Sequence, residues 1–369
     1  MSAAVVARPN HLDSLTGLRF FAALCVVLLH VGQRFDPVAG MTKAVGLGYA
    51  GVSFFFVLSG FILAWTHRPA DTPGNFYWRR FARVWPLHAL TTAFAIGVAV
   101  AVNLPVQWPA LPFVMTLTQA WFPAADIKYS LNGPSWSLSC EMFFYLLFPF
   151  MIQRLLGIRK ILSAITTVAI VMVLFAATCA VLFPSEQLGY YLYTMPLYRA
   201  GEFLIGICLA IAFQRGWRPR WTMKQALILT AVMYLVLIAA SNVVLHDVAR
   251  LPYFVAGLWM LPCFLGIIAA GADGDLGGVG GPLRSVWLGR LGAWSFALYL
   301  VHELVLKLVE PLADRVDTLG GVALTIAAVL ASIALSGIFY VFFERPVERW
   351  LRSRVTGKRV PATREHVTT

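Results

Sequence analysis

Charge is scarce in this sequence, and acidic residues are scarcer than basic ones. Only 12% of the 369 residues are Asp, Glu, Lys or Arg, which is about half of the fraction in a typical soluble domain. Hydrophobic residues make up 59% and the mean hydropathy is +0.75. The composition therefore excludes an ordinary soluble enzyme and predicts a protein that lies in a lipid bilayer.

Cysteine is also rare, and its placement excludes two further classes. None of the five cysteines lies in a polar loop, because all of them fall within apolar runs: Cys25, Cys140, Cys179, Cys208 and Cys263. This placement predicts neither the disulfide framework of a secreted domain nor a zinc site, and we expect no bound metal and no permanently bound cofactor.

The apolar runs are continuous and about 20 residues long, which favours helices over the short alternating strands of a barrel. We predict an all-α polytopic membrane protein with about ten transmembrane helices and no soluble domain. The predicted spans are 15–33, 47–66, 85–103, 136–153, 161–183, 197–213, 225–244, 252–271, 286–308 and 320–343. The longest loop between them is 104–135.

The basic residues predict the orientation in the membrane. If the N-terminus is cytoplasmic, 21 of the 29 Lys and Arg lie in cytoplasmic segments, as the positive-inside rule requires. Both termini are then cytoplasmic, and residues 351–369 form a basic cytoplasmic tail. The net charge of +12 reflects this orientation rather than nucleic-acid binding. The first run keeps Arg19 and His30, so we interpret it as a retained helix, not a cleaved signal peptide.

Arg19 and His30 are the most informative residues of the first run, "RFFAALCVVLLH". They are eleven residues apart, close to three helical turns, so they share one face and lie about 16 Å apart along the axis. Snorkelling of Arg19 and simple packing of His30 are the alternatives. Ionisable residues within a span indicate function by default, and the pair suggests an anion-holding end and a proton-transferring end.

Two other runs place ionisable residues near the same predicted outer depth. Glu141 lies in "PSWSLSCEMFFYLLFPF" and His302 in "WSFALYLVHELVL". A carboxylate bonded to an imidazole fixes its tautomer and raises its basicity. His30, Glu141 and His302 are therefore the candidate catalytic residues, and which histidine Glu141 would serve stays open.

An arginine cluster, Arg79, Arg80 and Arg83, stands just before the third predicted span in "FYWRRFARVWP". Arginine is suited to bidentate binding of phosphate, so these three residues and Arg19 are the candidate phosphate-binding residues. Ordinary positive-inside charge or contact with lipid headgroups is the alternative.

A further set of residues is assigned to substrate contacts. Ser59, beside Gly60, stands where a helix or a ligand can approach closely. Arg199 and Glu202 are three residues apart on one helix and have mutual neutralisation as the alternative role. The full set of candidate substrate contacts is Ser59, Trp136, Arg199, Glu202 and Tyr299.

Seven motifs in this order resemble the acyltransferase family 3 of integral-membrane O-acyltransferases. They are the Arg-x10-His of "RFFAALCVVLLH", "FFFVLSGFIL", "RRFAR" followed by "VWP", "PSWSLSCEMFFYLLFP", "RAGEFLIG", "YLVHE" and "FFERPVERW". They extend over residues 12–350, so we assign residues 1–350 to an acyltransferase-3-like transmembrane domain.

The resemblance implies ten spans, an acyl-coenzyme A donor taken from the cytoplasm and a hydroxyl acceptor. It places the family histidine at His30, the helix-one arginine at Arg19 and the Arg-x-x-Arg pair at Arg80 and Arg83. The sequence departs from the family at Cys140-Glu141, where Glu-Glu is the common form. No esterase-like domain is recognised after the last predicted span, so we expect no second acyl-transfer step from this sequence.

The sequence thus predicts a multi-pass enzyme of a bacterial plasma membrane that transfers an acyl group, here expected to be acetyl, from acyl-CoA. The expected acceptor is a hydroxyl of a glycan or of a glycosylated natural product such as a macrolide. The alternative is a proton-coupled transporter, which would also place charged residues within its spans. The sequence does not decide the acceptor, the acyl chain length, the acceptor's side of entry or the oligomeric state.

Overall fold

The computed structural model describes residues 9, 11–35, 45–245, 253–278, 281–313 and 315–356. Within these residues the chain is helical and contains no strand. The predicted fold class, an all-α polytopic membrane protein, is confirmed. The predicted tail beyond Thr356 lies outside the described residues, and the last helix runs through the predicted boundary at residue 350.

Eleven long helices make up the described structure. In chain order α1 to α11 are Asp13–Phe35, Ala50–Trp65, Pro73–Ala101, Trp136–Leu156, Ile161–Leu182, Pro196–Gln214, Met223–Leu245, Tyr253–Leu276, Val286–Ala313, Thr318–Phe339 and Arg345–Thr356. Two short helical turns, Ser185–Gly189 and Tyr190–Thr194, precede α6. One turn, Pro282–Arg284, precedes α9, and another, Tyr340–Glu344, joins α10 to α11. Each of the ten predicted spans overlaps one of the first ten helices.

Eight of the described helical segments are long and apolar enough to cross a bilayer. The two other predicted spans fall on helices that are not among these eight. The helix α2 is apolar but has only 16 residues, whereas α9 is 28 residues long and carries several charged side chains. The presence of ten membrane spans therefore stays a prediction. The eight long apolar helices already indicate a protein that crosses the membrane several times.

The third helix begins twelve residues before its predicted start and therefore includes the arginine cluster. Thr72 caps its N-terminus by accepting a hydrogen bond from the Asn75 amide at 3.3 Å, and Pro73 occupies the first helical position. Threonine caps and N1 prolines both favour a helix start. The capped extension fixes the arginines on a continuous helix instead of a loop.

The segment 104–135 folds into short helical turns rather than an open loop. These turns are Trp108–Ala110, Leu111–Met115, Gln119–Trp121, Ala125–Lys128 and Gly133–Ser135. At its end the Asn132 amide donates to the Leu300 carbonyl at 2.9 Å and Lys307 Nζ donates to the Leu131 carbonyl at 2.9 Å. The segment is thereby fixed against α9.

Glycines allow two helix pairs to pack backbone against backbone. A Cβ at Gly60 of α2 would overlap the Phe203 carbonyl of α6, and a Cβ at Gly206 would overlap the Val57 carbonyl. The predicted close approach at Gly60 is therefore a contact with a helix. In the same way Gly292 of α9 lies against the Thr16 carbonyl of α1, which brings α1 and α9 into the long contact that carries the two histidines.

Candidate active site

His30 of α1 and His302 of α9 form a hydrogen-bonded pair. His30 Nδ1 lies 2.9 Å from His302 Nε2, and the two ring planes are 14° apart. His302 is fully buried, whereas His30 is partly exposed. Two candidate catalytic residues that are 272 positions apart in the chain therefore meet.

The hydrogen bonds of the pair determine which nitrogen is free to act as a base. His302 Nδ1 lies 3.0 Å from the Leu298 carbonyl oxygen, and since a carbonyl only accepts, this nitrogen carries the hydrogen. A neutral His302 then presents a lone pair at Nε2, to which His30 Nδ1 donates. His30 is left with an unprotonated Nε2, the nitrogen that can accept a proton from a substrate.

A charged group lies directly beside the pair. Glu303 is 4% exposed and accepts a hydrogen bond from Arg34 at 2.5 Å, with Lys307 Nζ 3.6 Å away. Ligand atoms of His30, His302 and Glu303 all lie within 4.8 Å of one another, a spacing that a metal ion could use. However, the cations of Arg34 and Lys307 already neutralise Glu303 and would repel a metal ion, so we interpret the cluster as a histidine pair with a neutralised carboxylate.

A pocket lies among α1, α2, α3, α4 and α9. One part of its wall is apolar, with side chains such as Val52, Phe55, Ile62 and Phe296. The polar residues that line it are Arg19, Ser59, Arg80, Arg83, Ser137, Glu141, Tyr145, Ser295 and Tyr299. The pocket therefore brings together three of the four predicted arginines, Arg19, Arg80 and Arg83, with Ser59 and Tyr299 from the predicted substrate contacts.

The four candidate phosphate-binding arginines differ in their partners. Arg83 binds the carboxylates of Glu344 and Glu348. Arg79 makes two hydrogen bonds to Asp71, at 2.7 and 3.2 Å, and is not among the lining residues. The structure therefore places Arg79 outside the pocket, since on a helix its side chain points away from that of Arg80.

Arg80 lines the pocket together with Glu141, but no carboxylate among the described residues forms an ion pair with it. Its guanidinium lies 5.9 Å from the ring centres of Phe76 and Tyr145, and its buried Nε has no hydrogen-bond partner among the described residues. A buried guanidinium is costly unless it is paired. Arg80 and the adjacent wall residue Arg19 therefore form the part of the pocket that best suits an anionic ligand.

Glu141 lies with the arginines and not with the histidines. It accepts a hydrogen bond from the Tyr145 hydroxyl at 2.9 Å, and its charged neighbours are Arg19, Arg80 and Arg83. The sequence placed it at the depth of the histidines by counting residues from the end of its span, but depth alone does not say which helix faces it. A catalytic role for Glu141 stays a prediction, now in the arginine part of the pocket.

Arg199 and Glu202 form a closed, fully buried ion pair at 2.6 Å. Arg199 also donates to Ser53 Oγ at 3.0 Å and to the Tyr193 carbonyl at 2.6 Å. Trp136 packs over the same guanidinium, 6.0 Å from its ring centre. The structure therefore supports the alternative role of Arg199 and Glu202, in which each neutralises the charge of the other. These two residues and Trp136 do not line the pocket.

Sequence reasoning missed two carboxylates of the site. Glu344 stands in the quoted motif "FFERPVERW" but was given no role, although it is 3% exposed and binds Arg83. Glu303 directly follows His302 and pairs with Arg34. The available signal was the same for both: a single carboxylate within an apolar run needs a cation.

The fold and the site define a helical membrane protein with a basic pocket next to a histidine pair. The acyltransferase-3 family model, described as an acyltransferase domain, matches residues 12–341. The chain therefore belongs to the acyltransferase-3 family, and the protein is a multi-pass membrane acyltransferase. The resemblance inferred from the motifs is confirmed, and family membership favours the enzyme over the transporter alternative.

Several curated proteins are similar to this chain. The acyltransferase MdmB of Streptomyces mycarofaciens is 34% identical over 376 aligned residues, which cover 94% of each protein. The exopolysaccharide production protein ExoZ of Rhizobium meliloti is 26% identical and covers 84% of this chain and 92% of its own length. The putative peptidoglycan O-acetyltransferase YrhL of Bacillus subtilis is 26% identical over 92% of this chain and 55% of its own length. No solved structure matches the chain.

Proposed function

We propose that this protein transfers an acetyl or similarly short acyl group from acyl-coenzyme A to a hydroxyl of a glycan or a glycosylated natural product such as a macrolide. It does so in the plasma membrane of a bacterium. The observation that carries the proposal is that α1 contributes Arg19 to the arginine-lined pocket and His30 to the histidine pair. The rise from Arg19 to His30 is about 16 Å, a distance of the order of a pantetheine arm.

The phosphates of the donor would bind at the arginine part of the pocket. Among the described residues Arg80 forms no ion pair and its Nε has no hydrogen-bond partner, and Arg19 lines the same pocket, so both guanidiniums suit phosphate oxygens. Arg83 is bound to Glu344 and Glu348. It would therefore add positive charge near the phosphates without binding a phosphate through both of its terminal guanidinium nitrogens.

The pantetheine arm needs hydrogen bonds along its path, because it contains two amides. Ser295 lines the pocket between the arginines and Tyr299, is fully buried, and its Oγ has no hydrogen-bond partner among the described residues. A buried hydroxyl without a partner is costly. Ser295 would therefore bind an amide of the arm.

His30 would act as the general base. Its Nε2 accepts the proton of the acceptor hydroxyl as that oxygen attacks the thioester carbonyl. The C–S bond then breaks and the proton passes from His30 to the thiolate, giving the ester and free coenzyme A. While His30 is protonated, the lone pair of His302 Nε2 and the carboxylate of Glu303 stabilise its charge. We favour direct transfer, because an acyl-imidazole on His30 would hydrolyse readily.

The choice of acceptor class rests on relatives alone. MdmB covers nearly the whole chain, and the relatives also include a putative peptidoglycan O-acetyltransferase and an exopolysaccharide production protein. All these names are consistent with a saccharide-bearing or natural-product acceptor, and a panel of macrolides and glycans is the corresponding screen.

Binding of acetyl-CoA to the purified protein tests the proposal without an acceptor. Loss of the Arg80 guanidinium should weaken binding about tenfold or more, since a charge-assisted contact contributes roughly 1.5–3 kcal/mol. Arg79→Ala is the matched control, because Arg79 is adjacent in sequence but bonded to Asp71 outside the pocket. Folded wild-type protein that fails to bind acetyl-CoA, or equal losses in Arg79→Ala and Arg80→Ala, would contradict the proposal.

A further inference from the structure

The aromatic rings of Phe55 and Tyr299 stand together in the wall of the pocket. Both residues line it, and their ring centres are 6.3 Å apart at an angle of 63°, an edge-to-face contact. Phe55 comes from α2 and Tyr299 from α9, so the contact joins these two helices at the pocket. Edge-to-face pairs are favourable, and this one narrows the pocket at that point.

Tyr299 is held firmly in this position. Its hydroxyl donates to the Pro134 carbonyl at 3.0 Å and accepts from Ser137 Oγ at 2.9 Å. Pro134 belongs to the turn that leads into α4, and Ser137 belongs to the first turn of α4. A ring anchored at its hydroxyl cannot turn aside without losing these bonds, so the Tyr299 side of the narrowing is rigid.

The narrowing lies between the pocket and the histidine pair. Tyr299 precedes His302 by three residues on α9, and their ring centres are 6.1 Å apart. Neither His30 nor His302 is among the lining residues of the pocket. Tyr299 thus lines the pocket that contains the arginines and also lies beside His302.

We propose that Phe55 and Tyr299 form a constriction that the acyl group must cross to reach His30, and that this constriction restricts the enzyme to short acyl groups. The inference rests on the proposed function, because it takes acyl-CoA as the donor. The thioester enters from the arginine side, and an acyl chain with several additional methylene groups meets the edge of the Phe55 ring. Phe55 and Tyr299 are then residues that determine specificity for the acyl chain, whereas the chemistry remains with His30.

Phe55 is the better residue to change, since it has no polar anchor to lose. On α2 the residues Phe55, Ser59 and Ile62 are spaced i, i+4 and i+7, so they follow one face, and all three line the pocket. Ser59 lies next to Tyr145, and Ile62 lies two turns from Phe55. Ile62→Ala therefore also removes an apolar side chain from the pocket wall, but at a position away from Phe55 and Tyr299. It is the matched control.

The experiment compares the binding of coenzyme A, acetyl-CoA and hexanoyl-CoA to the purified full-length protein. For the wild type we expect hexanoyl-CoA to bind about tenfold or more weakly than acetyl-CoA. In Phe55→Ala the two affinities should become equal within about twofold, because the opened site accepts the longer chain and gains apolar contact from it. Ile62→Ala should keep the wild-type ratio, and the affinity for coenzyme A itself is the reference against which the two acyl-CoA affinities of each protein are compared.

The outcomes separate the constriction from the proposed function. If the folded wild type binds no coenzyme A at all, the donor assignment is wrong and the constriction is wrong with it. If coenzyme A binds but the wild type does not discriminate by chain length, or Phe55→Ala discriminates as the wild type does, only the constriction is overturned. Thermal unfolding shows whether each variant is folded, and Phe55→Leu replaces Phe55→Ala if the latter does not fold.

Discussion

At the scale of single residues, the hydrogen bond between His30 and His302 decides how the proton can move. The Leu298 carbonyl fixes the hydrogen of His302 on Nδ1, and this in turn fixes the hydrogen of His30 on Nδ1. In the proposed mechanism the buried His302 acts through His30 and is a positioning residue, while His30 is the group that meets the acceptor. The two histidines should therefore respond differently to substitution.

We expect His30→Ala to abolish acyl transfer and His302→Ala to lower the turnover about 10²-fold, within the usual contribution of general-base catalysis. Both variants should still bind coenzyme A, because the arginines are untouched. The measurement is release of free thiol from acetyl-CoA in the presence of an acceptor, together with coenzyme A binding.

A conservative variant distinguishes positioning from simple structural damage. The side-chain oxygen of His302→Gln can accept from His30 Nδ1, so this variant should recover part of the turnover lost in His302→Ala. Wild-type turnover in His302→Ala, or no difference between His302→Ala and His302→Gln, would contradict the assigned role of His302.

At the scale of elements, the crossing of α2 and α6 depends on glycines at the contact. Gly60 and Gly206 each lie against a backbone carbonyl of the other helix. In a membrane, where lipid is as apolar as the helices, close backbone packing of this kind is a main source of helix association. The crossing also supports the face of α2 that lines the pocket.

Gly206→Ala should lower the midpoint of thermal unfolding in detergent, since overpacking at a close contact costs typically about 1–3 kcal/mol. Gly97→Ala is the matched control, because a Cβ at that position of α3 meets no atom within 4 Å. Alanine is the better helix former by about 1 kcal/mol, so Gly97→Ala should leave the midpoint unchanged or raise it. An equal or smaller decrease in Gly206→Ala than in Gly97→Ala would show that the helices do not pack in this way.

At the scale of the whole molecule, the distribution of basic residues predicts how the bundle is oriented. With 21 of 29 Lys and Arg on one side, both termini should be cytoplasmic and the segment 104–135 should be outside. The arginine-lined pocket would then be reached from the cytoplasm, where acyl-CoA is made, and the histidine pair would lie towards the outer face.

Reporter fusions in a bacterial host test this orientation. A fluorescent protein fused at the C-terminus should be bright, and alkaline phosphatase at the same place should be inactive, because the phosphatase is active only outside the cytoplasm. Phosphatase inserted after Leu104 should be active. The reverse pattern would place the arginine-lined pocket on the outer side and remove the route for a cytoplasmic donor.

The sequence predicted the helices well because hydropathy is a local property. The spans predicted at 161–183 and 197–213 coincide within a residue with the helices Ile161–Leu182 and Pro196–Gln214. The prediction was least accurate at the start of α3, where the Thr72 cap extends the helix over polar residues that hydropathy alone assigns to a loop.

The sequence by itself determined the class of protein, the helical fold, the ordered family motifs and the identity of Arg19, His30 and His302 as residues of interest. Only the tertiary structure decided which side chains meet. It shows that His30 contacts His302, that Glu141 lies beside the arginines, and that Arg79 pairs with Asp71 whereas Arg80 lines the pocket. Such pairings depend on how helices distant in the chain rotate and cross, and the periodicity of a single helix carries no information about the side chains that face it from another.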